Sequence, residues 1–257
     1  MVGSVIALIS DFGTGSGYVA QMKAALWESY GEARFVDVSH DLPAQDIRGA
    51  SVLLRSVAFA FGPGSTHLVV VDPGVGTGRR AIAVRAKGVN FVGPDNGVLS
   101  VALEQEDAEV FEIDAPHLYR QPVSKTFHGR DVFAPIAAEL AAGLPLCEIG
   151  HPIDDAVVAV QPEADLDSAG VVHGEVVGCD AFGNLLTNID ANLLPNWQKA
   201  AIAGQSCPRF DTYGAAGAGT LCALVGSGGK IELAVAMGSA AERIGGDVVG
   251  LAVTVSL

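Results

Sequence analysis

Residues 5–18 read Val5-Ile6-Ala7-Leu8-Ile9-Ser10-Asp11-Phe12-Gly13-Thr14-Gly15-Ser16-Gly17-Tyr18. An unbroken apolar run, a polar glycine-rich turn and a helical pattern follow one another here. A continuous apolar run of this length, with no polar alternation, fits a strand covered on both faces. The pattern recurs. Residues 35–38, 67–71, 81–84 and 110–113 read as further strands, and residues 18–27, 47–61 and 131–140 place apolar side chains at helical spacing. Strands covered on both faces and separated by helices imply an α/β domain with a largely parallel, layered sheet. Past residue 155 the pattern changes. Residues 156–170 carry acidic side chains, Pro162 and few apolar anchors, and read as a linker. Short apolar runs at 171–177, 185–189, 221–225, 231–235 and 251–255, punctuated by glycine, predict a small all-β, barrel-like domain over 171–257. The expected organisation is therefore an α/β domain over 1–155, a linker and an all-β domain.

Composition narrows the function. The chain has 257 residues, of which 49% are hydrophobic and 17% charged, which excludes a disordered polymer. Fifteen Lys and Arg against twenty-nine Asp and Glu give a formal net charge of −14. Such a surface repels phosphate backbones and anionic membranes, so neither nucleic acid nor a membrane is an expected partner, whereas a cationic small molecule suits it. Cys147, Cys179, Cys207 and Cys222 form no C-x-x-C pair and read as free thiols in a reducing compartment. The first basic residue is Lys23 and Asp11 ends the apolar run, so the opening reads as a strand rather than a signal peptide, and the expected location is cytoplasmic. The uncharged stretch 212–229 is too rich in glycine for a membrane span.

Open α/β sheets bind ligands beyond the carboxyl ends of their strands, and three polar constellations fall there. The first is Ser10 to Tyr18. Its glycines are spaced G-x-G-x-G, and no Lys-Ser/Thr follows, so neither the dinucleotide fingerprint nor a phosphate loop is present. Asp11 can accept hydrogen bonds from both hydroxyls of a ribose, or cap a helix. The second runs from Asp72 through Pro73, Gly74, Gly76 and Gly78 to Arg79 and Arg80, where Arg79 can fold back onto Asp72, either to act on a ligand or only to pin the turn. The third is Thr126-Phe127-His128-Gly129-Arg130-Asp131, in which Asp131 reads as the cap of the 131–140 helix and His128 stands at the helix mouth as a candidate for chemistry. In the second domain, Asp180 and Asn184 flank a turn, which such residues form in any protein. An Asn amide can also pair with the edge of adenine. Gly226-Ser227-Gly228-Gly229 exposes main-chain N–H groups suited to a carboxylate.

Together, S-D-F-G-T at 10–14, V-D-P-G-V-G-T-x-R-R at 71–80, G-P-D-N-G at 93–97, F-H-G-R-D at 127–131 and D-x-F-G-N at 180–184 resemble one family. It is the S-adenosyl-L-methionine hydroxide adenosyltransferases, relatives of the fluorinases and chlorinases, and the motifs span essentially the whole chain in the family's order. The resemblance implies an N-terminal α/β domain, a C-terminal β-barrel and a homotrimer with active sites between subunits. It implies that S-adenosylmethionine (SAM) and water give adenosine and methionine, with SAM as substrate and no added cofactor or metal. By the same resemblance Asp11 holds the ribose diol. Asp72, Arg79 and His128 surround the attacking water, Asp180 meets the methionine ammonium, Asn184 the adenine edge, and Ser227 and Glu232 the methionine end. A sulfonium substrate suits an acidic protein. The chain departs from the pattern at Ser16, where relatives often carry an acid, and at Gln45 and Lys230, where an aromatic is common. Three other readings stand beside hydrolysis: a halogenase, a SAM-binding sensor without turnover, and a metal-assisted hydrolase using Asp11, Asp72 and His128. A halogenase of this family carries a tyrosine or threonine in place of Asp72 and a hydroxyl in place of Gly129.

Overall fold

A computed structural model of the chain describes residues 4–159 and 162–257, so residues 160 and 161 of the expected linker lie outside the described residues. The chain divides into two compact units, Met1–Ala159 and Val160–Leu257.

In the first unit the strands are β1 (Val5–Ser10), β2 (Arg34–Ser39), β3 (Thr66–Val70), β4 (Ala81–Ala86), β5 (Val89–Pro94), β6 (Glu109–Ile113) and β7 (Gly150–Pro152). They form one sheet in the order β2-β1-β3-β5-β4-β6-β7. The pairs β2-β1, β1-β3 and β3-β5 are parallel, whereas β5-β4, β4-β6 and β6-β7 are antiparallel. The sheet is thus mixed: one helix connects β1 to β2 and another connects β2 to β3, whereas the parallel pair β3-β5 is connected through the intervening strand β4. Ile6, Ala7, Leu8 and Ile9 are all fully buried. Ile6 and Leu8 join an apolar layer with Met22 and Leu26 of α1 (Tyr18–Ser29) and Phe133 to Leu140 beside α4 (Ala134–Ala142). Ile9 faces the other way, into a layer with Ala50 and Leu54 of α2 (Ile47–Val57) and Val101 of α3 (Ser100–Leu103). Two covered faces explain the unbroken apolar run.

The expected helix at 47–61 ends at Val57, before the turn at Gly62-Pro63-Gly64. Its start is fixed by Asp46, whose carboxylate accepts from Gly49 N at 2.8 Å. Strand order places the site: the chain leaves β1 for β2 on one side and then crosses to β3 on the other, so β1 and β3 are neighbours at a topological switch point. Ser10 stands opposite Val70. Asp11 and the Val71–Asp72 segment therefore leave the sheet side by side.

The second unit is antiparallel. Its strands are β8 (Asp165–Leu166), β9 (Val172–Cys179), β10 (Leu185–Asp190), β11 (Lys199–Ile202), β12 (Gln205–Pro208), β13 (Leu221–Val225), β14 (Lys230–Val235) and β15 (Ala252–Ser256), with α5 (Ala240–Ile244) after β14. Their order is β12-β11-β15-β9-β10-β14-β13, and β8 pairs with β9. The two ends meet where Arg209 bridges Ala223 and Phe210 N donates to Ala223 O at 2.9 Å, which nearly closes a barrel. Trp197, Leu185, Ile189, Leu233 and Val253 fill it. Among the described residues no helix is long and apolar enough to cross a membrane.

Candidate functional site

In the first unit three loops converge. The Asp72–Arg80 loop is a series of tight turns: Val75 N donates to Asp72 O at 3.3 Å, and both the Thr77 amide (3.1 Å) and hydroxyl (2.7 Å) donate to Gly74 O. These turns fold Arg79 back so that its Nε donates to Asp72 Oδ1 at 2.9 Å while Nη2 donates to Oδ2. The pair is bidentate and shielded, with 12% of the Arg79 side chain and 6% of the Asp72 side chain exposed. The guanidinium carbon also lies 5.0 Å over the Phe133 ring. Its Nη2 lies 3.0 Å from His128 Nδ1. Asp72, Arg79 and His128 therefore form one hydrogen-bonded chain, with the guanidinium between carboxylate and imidazole.

Close packing brings the histidine loop to this position. A Cβ at Gly129 would lie 3.0 Å from Val70 Cγ1 and 3.2 Å from Phe12 Cζ. A Cβ at Gly76, whose φ is +74°, would meet Lys125 O at 2.2 Å. The backbone clash and positive φ leave room only for glycine at 76, whereas a side chain at 129 would need Val70 and Phe12 to give by a few tenths of an ångström. Phe12, Tyr18 and Phe127 pack edge-on beside the histidine, with ring centroids 5.2–5.9 Å apart. The His128 pKa is lowered first by burial and then by the Arg79 charge, partly opposed by Asp72 and Asp131. The imidazole is thus biased toward its neutral form.

Asp131 does not cap the following helix. It is fully buried within a π-helical turn, Gly129–Phe133, that runs directly into α4. Its carboxylate instead accepts from Arg130 Nε (2.6 Å), Arg130 Nη2 (2.8 Å) and Ser124 N (2.9 Å). The residue pins the loop that carries His128. Asp11 is not a helix cap either, since the N-cap of α1 is Gly17 and no side chain caps it. Its Oδ2 accepts from Gln45 N at 2.7 Å, where Gln45 adopts φ +67°. Ser16 spends its hydroxyl on Phe12 O at 2.8 Å.

The second unit carries its own polar group. Asp180 Oδ1 accepts from Phe182 N (2.8 Å) and Asn184 N (2.9 Å), and Oδ2 accepts from Asn184 Nδ2 (2.9 Å). Both residues are turn formers and partners of one another. The buried Asn184 amide keeps its carbonyl oxygen and one N–H for another group. Glu232 is buried on β14 and accepts the Tyr213 hydroxyl at 2.6 Å. Burial pushes the Glu232 carboxyl up and the Asp180 charge adds to this, while the Tyr213 hydrogen bond opposes it. The Tyr213 phenol, bonded to Glu232, is pushed up to about 12. Gly226 stands over Glu232 Oε2, which brings the β13–β14 turn and its exposed Ser227 to the same end of the barrel. No local pattern marks Tyr213. It lies in a glycine-rich stretch, and only the fold sets it against Glu232.

Residues 6–150 match the SAM hydroxide adenosyltransferase N-terminal domain, and residues 174–249 match the C-terminal domain of the same name. A protein of Salinispora tropica named (R)-S-adenosyl-L-methionine hydrolase is 39% identical over 251 residues, covering 93% of each chain. One of the same name from Thermus thermophilus is 38% identical, covering 93% of this chain and 95% of its own. Among solved structures, an uncharacterized conserved protein from Thermotoga maritima superposes with a TM-score of 0.91 at 32% identity, covering 97% of this chain and 99% of that one.

Proposed function

The chain belongs to the SAM hydroxide adenosyltransferase family, and from that premise we propose how it hydrolyses SAM to adenosine and L-methionine. The observation that carries the reading is the Asp72–Arg79–His128 chain at the carboxyl ends of β1 and β3. Water oxygen attacks the ribose 5′ carbon in line with the sulfonium. The C5′–O bond forms, the C5′–S bond breaks, its electron pair stays on the methionine sulfur, and one water proton is released. Neutral methionine sulfur is a good leaving group, so the barrier lies in the weak nucleophile.

Hydrogen-bond chemistry divides the roles. A guanidinium only donates, so His128 Nδ1 accepts from Arg79 and the neutral ring carries its proton on Nε2. Arg79 supplies a permanent positive charge to oxygen as it gains hydroxide character. Nε2–H of His128 orients the water. Asp72 keeps lone pairs beyond those facing Arg79 and takes the released proton. Protonating His128 would set a donor against a donor and a cation beside Arg79, so activity falls on the acid side as pH drops through the lowered His128 pKa. Asp11 holds the ribose diol through the oxygen that Gln45 leaves open. Asp180, Asn184, Ser227 and Glu232 serve the methionine and adenine ends, supported by their clustering at one end of the barrel. The family resemblance supports a head-to-tail trimer in which one subunit supplies Asp11, Asp72 and His128 and the next supplies Asp180 and Asn184.

An anionic residue at position 72 disfavours a halide nucleophile, which argues for hydrolysis over halogenation. The test is His128→Ala. The expected result is a fall in kcat of roughly 100-fold or more with little change in KM, since positioned proton-transfer and orienting groups contribute about that much. An unchanged kcat across the pH range would remove His128 from the chemistry.

A further inference from the structure

A file of hydrogen bonds that the reaction itself does not use runs from α1 to the Asp11 loop. Lys23 Nζ on α1 donates to Asp37 Oδ2 at 2.6 Å. Asp37 Oδ1 lies 3.0 Å from His40 Nε2, His40 Nδ1 lies 2.7 Å from Ser10 Oγ, and Phe12 N reaches Ser10 Oγ at 3.4 Å. A carboxylate that Lys23 keeps charged only accepts, so the imidazole donates to it from Nε2. In the neutral ring Nδ1 then accepts the Ser10 hydroxyl, whose oxygen also accepts the Phe12 amide. Burial pushes the Asp37 carboxyl up, but the bonds from Lys23 and His40 more than offset it and hold it below the ordinary range. Ser10 is 0% exposed and His40 3%.

The order Ser–His–Asp is that of a hydrolase triad, yet a hydroxyl with no access to substrate is not a nucleophile. The file ends instead on the peptide joining Asp11 to Phe12. The same connection grips the loop at further points: His40 O accepts Gly13 N at 2.7 Å, and Asp41 Oδ1 accepts the Thr14 amide (2.8 Å) and hydroxyl (3.1 Å).

We infer that His40 is a positioning residue for the ribose site: acting through Ser10, it fixes the Asp11–Phe12 peptide and so the direction in which Asp11 presents its open carboxylate oxygen. This rests on the reading of Asp11 as the ribose carboxylate. Ser10, Asp37 and Lys23 are the remaining parts of the same device, and its product is binding rather than turnover.

The experiment measures kcat and KM for SAM and for its 2′-deoxy analogue in His40→Gln, Ser10→Ala and Lys23→Met, each alone and combined with Asp11→Ala. In His40→Gln and Ser10→Ala the KM for SAM rises about tenfold, the scale of one hydrogen bond to a charged group, while kcat stays within about threefold. The rise is smaller for the 2′-deoxy analogue and vanishes in the Asp11→Ala background, because the group being positioned is gone. Lys23→Met removes only the solvent end and shows the same pattern at smaller size, which keeps the test open if a buried variant fails to fold. Equal effects with and without Asp11, or a lower melting temperature with unchanged KM, would overturn the positioning role alone. If Asp11→Ala treats SAM and its 2′-deoxy analogue alike, the ribose role of Asp11 falls and this inference with it.

Discussion

His67 sits on β3, the strand that leads to Asp72, and is 0% exposed. Its ring stacks on Phe91 with centroids 5.1 Å apart and planes 7° from parallel. Neither ring nitrogen has a well-formed hydrogen bond. Burial pushes its pKa from 6.5 down to about 4, with only partial compensation from the Ala58 backbone. Between those two values the unfolded chain binds a proton that the native chain refuses, so stability rises with pH across that window. Above it both states are neutral, and below it both are protonated. At about 1.36 kcal/mol per pH unit, His67 alone removes about 3 kcal/mol on going from neutral pH to pH about 4. For a unit of this size that corresponds to roughly 6–12 °C in Tm.

His67→Phe keeps an aromatic ring on Phe91 and removes the titration. Denaturant unfolding of both proteins at a series of pH values should show a constant stability difference above the His67 window. As pH falls through the window, the difference should move by about 3 kcal/mol in favour of the variant. Every other group titrates in both proteins and cancels. Parallel stability curves from neutral pH to pH about 4 would refute the account of a buried, unpaired imidazole.

Two other predictions concern the site. Arg79→Lys keeps the charge but loses the planar fork that binds Asp72 and His128 together, so kcat should fall by at least about tenfold with a smaller effect on KM, read by steady-state kinetics. If the proposed head-to-tail trimer forms, mixing His128→Ala with Asn184→Ala protein under subunit exchange should restore part of the lost activity, because mixed trimers would contain sites with neither lesion; demonstrated exchange without rescue would place each site within one chain.

The parts of the fold that follow from local hydrophobicity were legible in the sequence. Ile6 to Ile9 are buried on both faces of one strand, and no other local structure buries such a run so simply. β5 was not legible, because Asn90, Gly93 and Pro94 interrupt its apolar pattern. In the sheet Asn90 is satisfied by Arg85 Nε at 2.9 Å and by Thr66 Oγ1 at 3.3 Å, both on neighbouring strands. β11 and β12 were hidden by their turn: Ala203 and Gly204 both take positive φ (49° and 73°), a tight hairpin without the usual Asn-Gly or Asp-Gly signature. In the site, Asp11, Asp72, Arg79 and His128 stood out because they follow strands or precede a helix. Asp131 reads as a cap because a capping carboxylate and one buried against an arginine have the same local sequence. His40 and Tyr213 act through contacts with residues 30 and 19 positions away, and no local pattern carries that information.

The central claim is that this chain, with Asp72, Arg79 and His128, delivers water oxygen to the 5′ carbon of SAM. It is tested most directly by turnover in water labelled with heavy oxygen, with chloride present, followed by mass spectrometry of the nucleoside product. Adenosine carrying the label in its 5′-hydroxyl should form in step with unlabelled methionine. A 5′-chloro nucleoside, unlabelled adenosine or intact SAM in the presence of folded protein would contradict it.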